Sequence, residues 1–178
     1  MIIMKCNIRG EKIKITEAIG NYIDTKMARL DKYFKESDVK ANVLVKLKGK
    51  KQAIEVTIPY DKYILRSEEV HDDLYAAIDL VIDKLERQIR KNKTKLKKHE
   101  KSNKMKFNFD YEIDDKEEKN KSKIVKRKVI EMKPMSEEEA ILELELLSHD
   151  FFIYKDMDGD IKVVYKRKDG HYGSIEIN

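Results

Sequence analysis

The sequence predicts an α+β chain in two parts. An N-terminal β-α-β-β-β-α two-layer sandwich (1–98) is followed by a flexible charged linker (99–122) and a small C-terminal β-α-β-β-β unit (123–178). Three observations carry this. Residues 72–99 keep one helical period, with Leu74, Ile78, Val81, Ile82, Leu85 and Ile89 on one face at roughly 100° per residue. Strand-like alternation precedes that helix and returns near the C-terminus. Between them, from 99 to 122, both periods give way to a basic and then an acidic run, DYEIDDKEEKN, too polar to build a core.

Taken in order, from Ile2 to Arg9, Ile2, Met4, Cys6 and Ile8 alternate with Lys5, Asn7 and Arg9 as in a half-buried strand, which places Cys6 among small buried hydrophobes. Thr16 is the N-cap expected for a helix reaching Phe34, whose apolar face is Ile19, Ile23, Met27, Leu30 and Phe34. Residues 39–48 and 54–60 alternate on either side of Gly49-Lys50 and read as a hairpin, with Pro59 marking a strand end. Residues 63–66 form a short fourth strand, after which Ser67, Glu68 and Glu69 are expected to open the long helix with acids at its positive end. Both helices need the same sheet to bury their apolar faces, hence two layers with the other sheet face partly wet.

Beyond the linker, residues 124–132 are strand-like. Pro134 interrupts, and Ser136 with Glu139 forms a capping box for a helix to Leu147. Strands at 151–155, 161–167 and 172–177 are joined by Asp158-Gly159 and Asp169-Gly170, both hairpin turns. These strands are apolar on both faces, and a unit this small buries little surface alone. One face covers its own helix; a second copy of the chain covers the other most economically.

Composition narrows the function classes. With 40% apolar and 41% charged residues, the core is modest and the surface crowded with charge. One cysteine permits no internal disulfide and fits a reducing compartment. No stretch approaches a membrane span, so a cytoplasmic protein is expected. Asp156, Asp158 and Asp160 resemble a calcium loop only superficially, because the twelfth position holds Arg167 where a bidentate Glu is required. His71, His99, His149 and His171 lack ligand spacing, and no phosphate loop or nucleophile elbow is present. The expectation is therefore no enzyme, no metal, no cofactor and no small-molecule substrate.

What remains is charge in a pattern. On the long helix Lys84, Arg87, Gln88, Lys91, Lys95 and Lys98 form a stripe beside the apolar face, with Asp79, Asp83 and Glu86 on the far side. On the first helix Tyr22, Lys26, Arg29 and Tyr33 run along one edge. A rigid basic stripe suits a polyanion, nucleic acid above all. The alternatives are a solvated lysine-rich surface and, for the tyrosines, a half-buried core edge.

The runs ITEAIGNYIDTKMARLDKYF, ILRSEE and DDLYAAIDLVIDKLERQIRKNK, then VKRKVIEMKPMSEEEAILELELLSHDFFIYKD and VVYKRKDGHYGSIEIN, resemble the long form of the bacterial ribosome hibernation promoting factor. They cover most of the chain outside the linker. The sequence departs from the family at IRGEKIKITEA, where a Gly-Arg-Asn turn is more usual, and at Ser174, where an apolar residue is usual. The resemblance implies an N-terminal domain that occupies the messenger and transfer RNA sites of the small ribosomal subunit, touching its RNA and proteins. It also implies a C-terminal domain that homodimerises and pairs two ribosomes in an inactive state during starvation. On that mechanism the phosphate contacts are Lys84, Arg87, Gln88, Arg90, Lys91 and Lys95, then Lys26 and Arg29 if the helices lie side by side, then Arg9 and Arg66 at strand ends. The dimer contacts are Phe152, Tyr154, Val163, Tyr165 and Tyr172. Rival readings are an RNA-binding translational regulator without ribosome pairing, and a protein-interaction module that modulates a sigma factor.

Overall fold

β1 (Lys5–Glu11), β2 (Lys40–Lys48), β3 (Lys51–Tyr60) and β4 (Tyr63–His71) lie in that order in one sheet, β1 parallel to β2 and the rest antiparallel. The computed structural model describes residues 4–34, 39–60, 63–99, 129–130 and 132–177, with side chains of the long helix described to 92. The expected linker, apart from His99, lies outside the described residues.

One sheet face carries α1 (Glu17–Met27) and α2 (Leu74–His99), so the element order of the first part is β-α-β-β-β-α. Ala41, Val43, Val45, Val56, Ile58 and Leu65 meet Ile23, Leu30, Ile78, Ile82 and Leu85 in one core, all at most 1% exposed. Each such large aliphatic contributes about 1.5–3 kcal/mol by leaving water. Across the opposite sheet face Lys46 pairs with Glu55 and Glu68, and Arg66 with Glu55, as expected of a wetted face.

Local chemistry explains the boundaries. Thr16 Oγ1 accepts from the Ile19 N–H at 3.3 Å and starts α1. The first helix does not stay α-helical to Phe34. From Ala28 to Tyr33 it tightens into a 3-10 segment, whose three-residue period lines up Met27, Leu30 and Tyr33 over the core. Gly49, at φ +67, makes the two-residue turn between Lys48 and Lys51.

β4 is longer than the sequence suggested. Ser67 to His71 do not open the long helix; they stay paired with β3 as far as Gln52 opposite His71. Ser67 and Glu69 point toward α2, where Ser67 is fully buried and Glu69 holds Lys84. The helix is capped instead by Asp73, whose Oδ1 accepts from the N–H groups of Tyr75 (2.7 Å) and Ala76 (3.3 Å).

In the C-terminal part, α3 (Glu137–Leu146) packs on a sheet of β5 (Phe151–Lys155), β6 (Ile161–Lys166) and β7 (Tyr172–Glu176), in that order and antiparallel. Ser136 Oγ caps α3 through the Glu139 N–H at 3.2 Å. Gly159 and Gly170 take the positive φ their turns need. The strand expected over 124–132 is not formed at 129, 130 or 132, and its other residues lie outside the described ones. Val129 and Ile130 are exposed, and among the described residues pairing with β5 is a single parallel bridge at Pro134, which brings no N–H.

Candidate nucleic-acid interface

α2 presents three flanks outside its buried face. The acids expected on the far side are turned toward α1. Tyr22 Oη donates to Asp79 at 3.1 Å and Lys26 Nζ pairs with Asp79 at 2.7 Å. Arg29 reaches Asp83 (3.1 Å) and Glu86 (2.9 Å), while Lys32 (3.0 Å) and Tyr33 (2.7 Å) also converge on Glu86. The Tyr33 hydroxyl, then Lys32, hold the Glu86 carboxyl down to about 2. Asp79 is lowered first by Lys26, and Lys26 is raised first by Asp79. Tyr22 stacks edge-on against Tyr75 with ring centres 4.8 Å apart. The two helices do lie side by side, and Lys26 and Arg29 are the pins between them. Lys32, absent from the sequence-based site, belongs to the same set.

The second flank faces β4. Lys84 Nζ meets Glu69 at 2.6 Å, Gln88 Nε2 donates to the Arg66 carbonyl at 3.4 Å, and Lys91 Nζ pairs with Glu145 of α3 at 2.6 Å. The third flank points outward. Arg87 and Arg90 lie there, both exposed, and with Asp83 and Lys91 they border one shallow concavity. Among the described residues no acid pairs with Arg87 or Arg90. The side chain of Lys95 lies outside the described ones.

Arg9 and Arg66 stand apart from this surface. Their neighbours in register are Leu44 and Thr57, on the sheet face opposite the helices. Arg66 grips Glu55 with Nε (3.0 Å) and Nη2 (2.9 Å), and its Nη1 lies 3.2 Å from His149 Nε2. Cys6 is half-buried; burial, then Asp24, push its thiol up to about 12, so it stays protonated as the buried-hydrophobe reading requires.

The C-terminal sheet separates the expected dimer residues by face. Phe152, Tyr154 and Tyr172 pack against α3, with Tyr154 2% exposed inside the small core. Val163 and Tyr165 lie on the uncovered face, in register with Ile153, Ile175, Phe151 and Gly173. Sequence reasoning omitted Phe151, Ile153, Ile161, Ile175 and Ile177, which share that face. Asp156 Oδ1 accepts from the N–H groups of Asp158, Gly159 and Asp160 at 2.9–3.0 Å, closing its own turn. Among the described residues no cluster of three metal-ligating side chains occurs, and no helix is long and apolar enough to cross a membrane.

A family model described as sigma 54 modulation protein / S30EA ribosomal protein matches residues 6–97. The chain belongs to this family. The model for the family's C terminus matches residues 119–173, and the two in this order make the long form of the ribosome hibernation promoting factor. Among solved structures, the N-terminal domain of Thermus thermophilus Protein Y is similar at 41% identity, covering 51% of this chain and 98% of that one, with TM-score 0.44. A ribosomal subunit interface protein from Coxiella burnetii is similar at 19% identity, covering 51% and 99%, with TM-score 0.45. The family is ribosome-associated, concerned with translation and its regulation, and is not a known enzyme family.

Proposed function

We propose that this chain is a cytoplasmic hibernation factor that binds the small ribosomal subunit where messenger and transfer RNA sit, and pairs ribosomes through its C-terminal part. The supporting observation is the outward flank of α2, where Arg87 and Arg90 are exposed and held by no acid among the described residues. Arginines with no acid partner among the described residues, fixed on a helix pinned to its neighbour and to the sheet, suit the backbone of structured RNA, which is read by shape and phosphate. Lys84 and Lys91 add charge on the adjoining flank when their acids yield them. Inhibition is occupancy of the site and needs no bond chemistry. The domain division is residues 1–98 for ribosome binding and 123–178 for self-association, with 99–122 as tether.

Pairing of ribosomes is supported by the open sheet face, where Val163, Tyr165, Ile153 and Ile175 line up with no cover from other described residues. A second copy presents the same face and closes it symmetrically. The test is gradient sedimentation of vacant ribosomes with the full chain and with Val163→Asp. The full chain should shift ribosomes to a paired peak, and the variant should bind without shifting them. A variant that still pairs ribosomes removes the sheet face from the mechanism. If neither protein co-sediments at low salt, the ribosome is not the target.

A further inference from the structure

The C-terminal part does not hang free of the long helix. α3 is apolar on two opposite sides, and such a helix needs cover on both. Ala140 and Leu144 face their own sheet with Tyr154 and Val164, while Leu142 and Leu146 join the core of the first sheet and its helices. α3 lies along β4, the edge strand of that sheet, which would otherwise present a bare backbone edge. At its C-terminal end the Glu145 carboxylate takes Lys91 at 2.6 Å, while the Glu145 carbonyl (3.5 Å) and Ser148 Oγ accept from Gln88 Nε2. His149 meets Arg66 at 3.2 Å. Residues 145–149 thus hold Arg66, Gln88 and Lys91 together, three of the residues that the sequence assigns to RNA.

We infer that the C-terminal unit is an internal competitor of RNA: docked on the β4 flank of α2, it closes that flank to phosphate, and docking and RNA binding exclude one another. The inference rests on reading α2 as a phosphate-binding helix. Its physical basis is that Glu145 places a carboxylate on Lys91 where a phosphate oxygen would come, which offsets the ammonium's charge and sets a second anion against the phosphate. The polar part of the contact is built to open. Lys91 is 67% exposed and Glu145 12%, so water screens the ammonium side of the pair. Gln88 Oε1 finds no hydrogen-bond partner among the described residues. Arg87 and Arg90 lie outside the docked contact and stay available for a first encounter with RNA. The uncovered sheet face is on the side of the sheet away from α3, so the closed form leaves it free. Apparent affinity then falls by the fraction of molecules that are open.

The test uses the full chain and a water-soluble carbodiimide, which joins a lysine to a carboxylate only when they touch. Peptide mass spectrometry of the free protein should show a Lys91–Glu145 link, formed within one chain as judged from a mixture of nitrogen-15-labelled and unlabelled protein. Saturating vacant ribosomes should abolish it. Glu145→Gln should tighten ribosome binding roughly tenfold, while Glu138→Gln, the same charge change in the first turn of α3, should not. Absence of the link in the free chain, or a link only between copies, overturns the docked state whether or not the protein sediments with ribosomes. A link that persists on the ribosome overturns the exclusion, as does an equal effect of the two variants. A link in the free chain without any co-sedimentation overturns instead the phosphate-binding reading of α2.

Discussion

Replacing Arg87 and Arg90 together with alanine removes the outward α2 cations that no acid among the described residues holds. Both are exposed, so the effect on stability should stay within about 0.5 kcal/mol per site. The effect on binding should be large and salt-dependent, because each phosphate neutralised releases counterions. At about 0.7–0.9 per contact, losing both lowers the log–log slope of affinity against salt by about 1.5. Between about 50 and 200 mM salt the unaltered chain should therefore lose about eightfold more affinity than the variant does. The same double replacement at Lys26 and Arg29 should change the slope less, since Asp79, Asp83 and Glu86 already balance those charges. It should lower the melting temperature instead, by unpinning α1 from α2. Equilibrium co-sedimentation with vacant ribosomes across a salt series measures the slope, and circular dichroism melting checks the fold. A folded Arg87/Arg90 variant with an unchanged slope refutes the assignment, and so does a larger slope change from the Lys26/Arg29 pair.

Other outcomes follow from the same geometry. Glu86→Gln should destabilise the chain at neutral pH by about 1.5–3 kcal/mol, the range for hydrogen bonds to a charged group. The Glu86 carboxyl is lowered from 4.5 to about 2 in the folded chain, so its contribution is fully present above about 4.5 and disappears as pH falls toward 2. Melting curves of the two proteins should converge there; a gap that persists assigns the loss to packing. Gly173→Ala puts a Cβ 2.4 Å from Tyr165 Cζ, so the ring must leave the uncovered sheet face. That should cost about 1–3 kcal/mol and weaken self-association in sedimentation velocity; a dimer as tight as before removes Tyr165 from the interface. Leu80 is 46% exposed on the outward flank, two helical turns before Arg87. Leu80→Arg should steepen the salt slope by nearly one contact, and an unchanged slope would place the RNA elsewhere.

The order of elements was legible because alternation and helical period are strong where one face is apolar. The long helix, both glycine turns of the last sheet and the Thr16 and Ser136 caps were found on those grounds. β4 was cut short because Ser67 and Glu69 are polar yet point inward, toward α2, and a strand with polar residues inside looks like a capped helix start. The wheel of α2 set Lys84, Gln88 and Lys91 apart from Asp79 and Glu86, but Asp83 borders the same concavity as Arg87 and Arg90, and the wheel could not reveal that α1 would lie along the acids. In β5 and β6 apolar residues occur at both parities, so sequence could not say that Tyr154 is core while Val163 and Tyr165 are open. The contact between Lys91 and Glu145 spans 54 residues and carries no local signal at all.

On the proposed reading of α2, a cation of the N-terminal part either holds the fold or is available to RNA, and the distinction is made by its nearest carboxylate. Lys26, Arg29 and Lys32 converge on acids of α2 and fix the relative position of two helices. To bind phosphate they would have to leave a carboxylate behind, facing the same RNA, and the two effects largely cancel. Lys84 and Lys91 are intermediate, since each faces an acid that belongs to another element, β4 or α3. Of these two acids, Glu145 can move away with the C-terminal unit, whereas Glu69 is fixed in the sheet. The ordering that results is Arg87 and Arg90 first, Lys91 when α3 is undocked, Lys84 next, and the α1 cations last. Net charge, +5 over the whole chain, contains none of this. On that reading the field offered to RNA is set by which side of α2 each acid lies on, and rigidity of that field is what the α1 ion pairs supply.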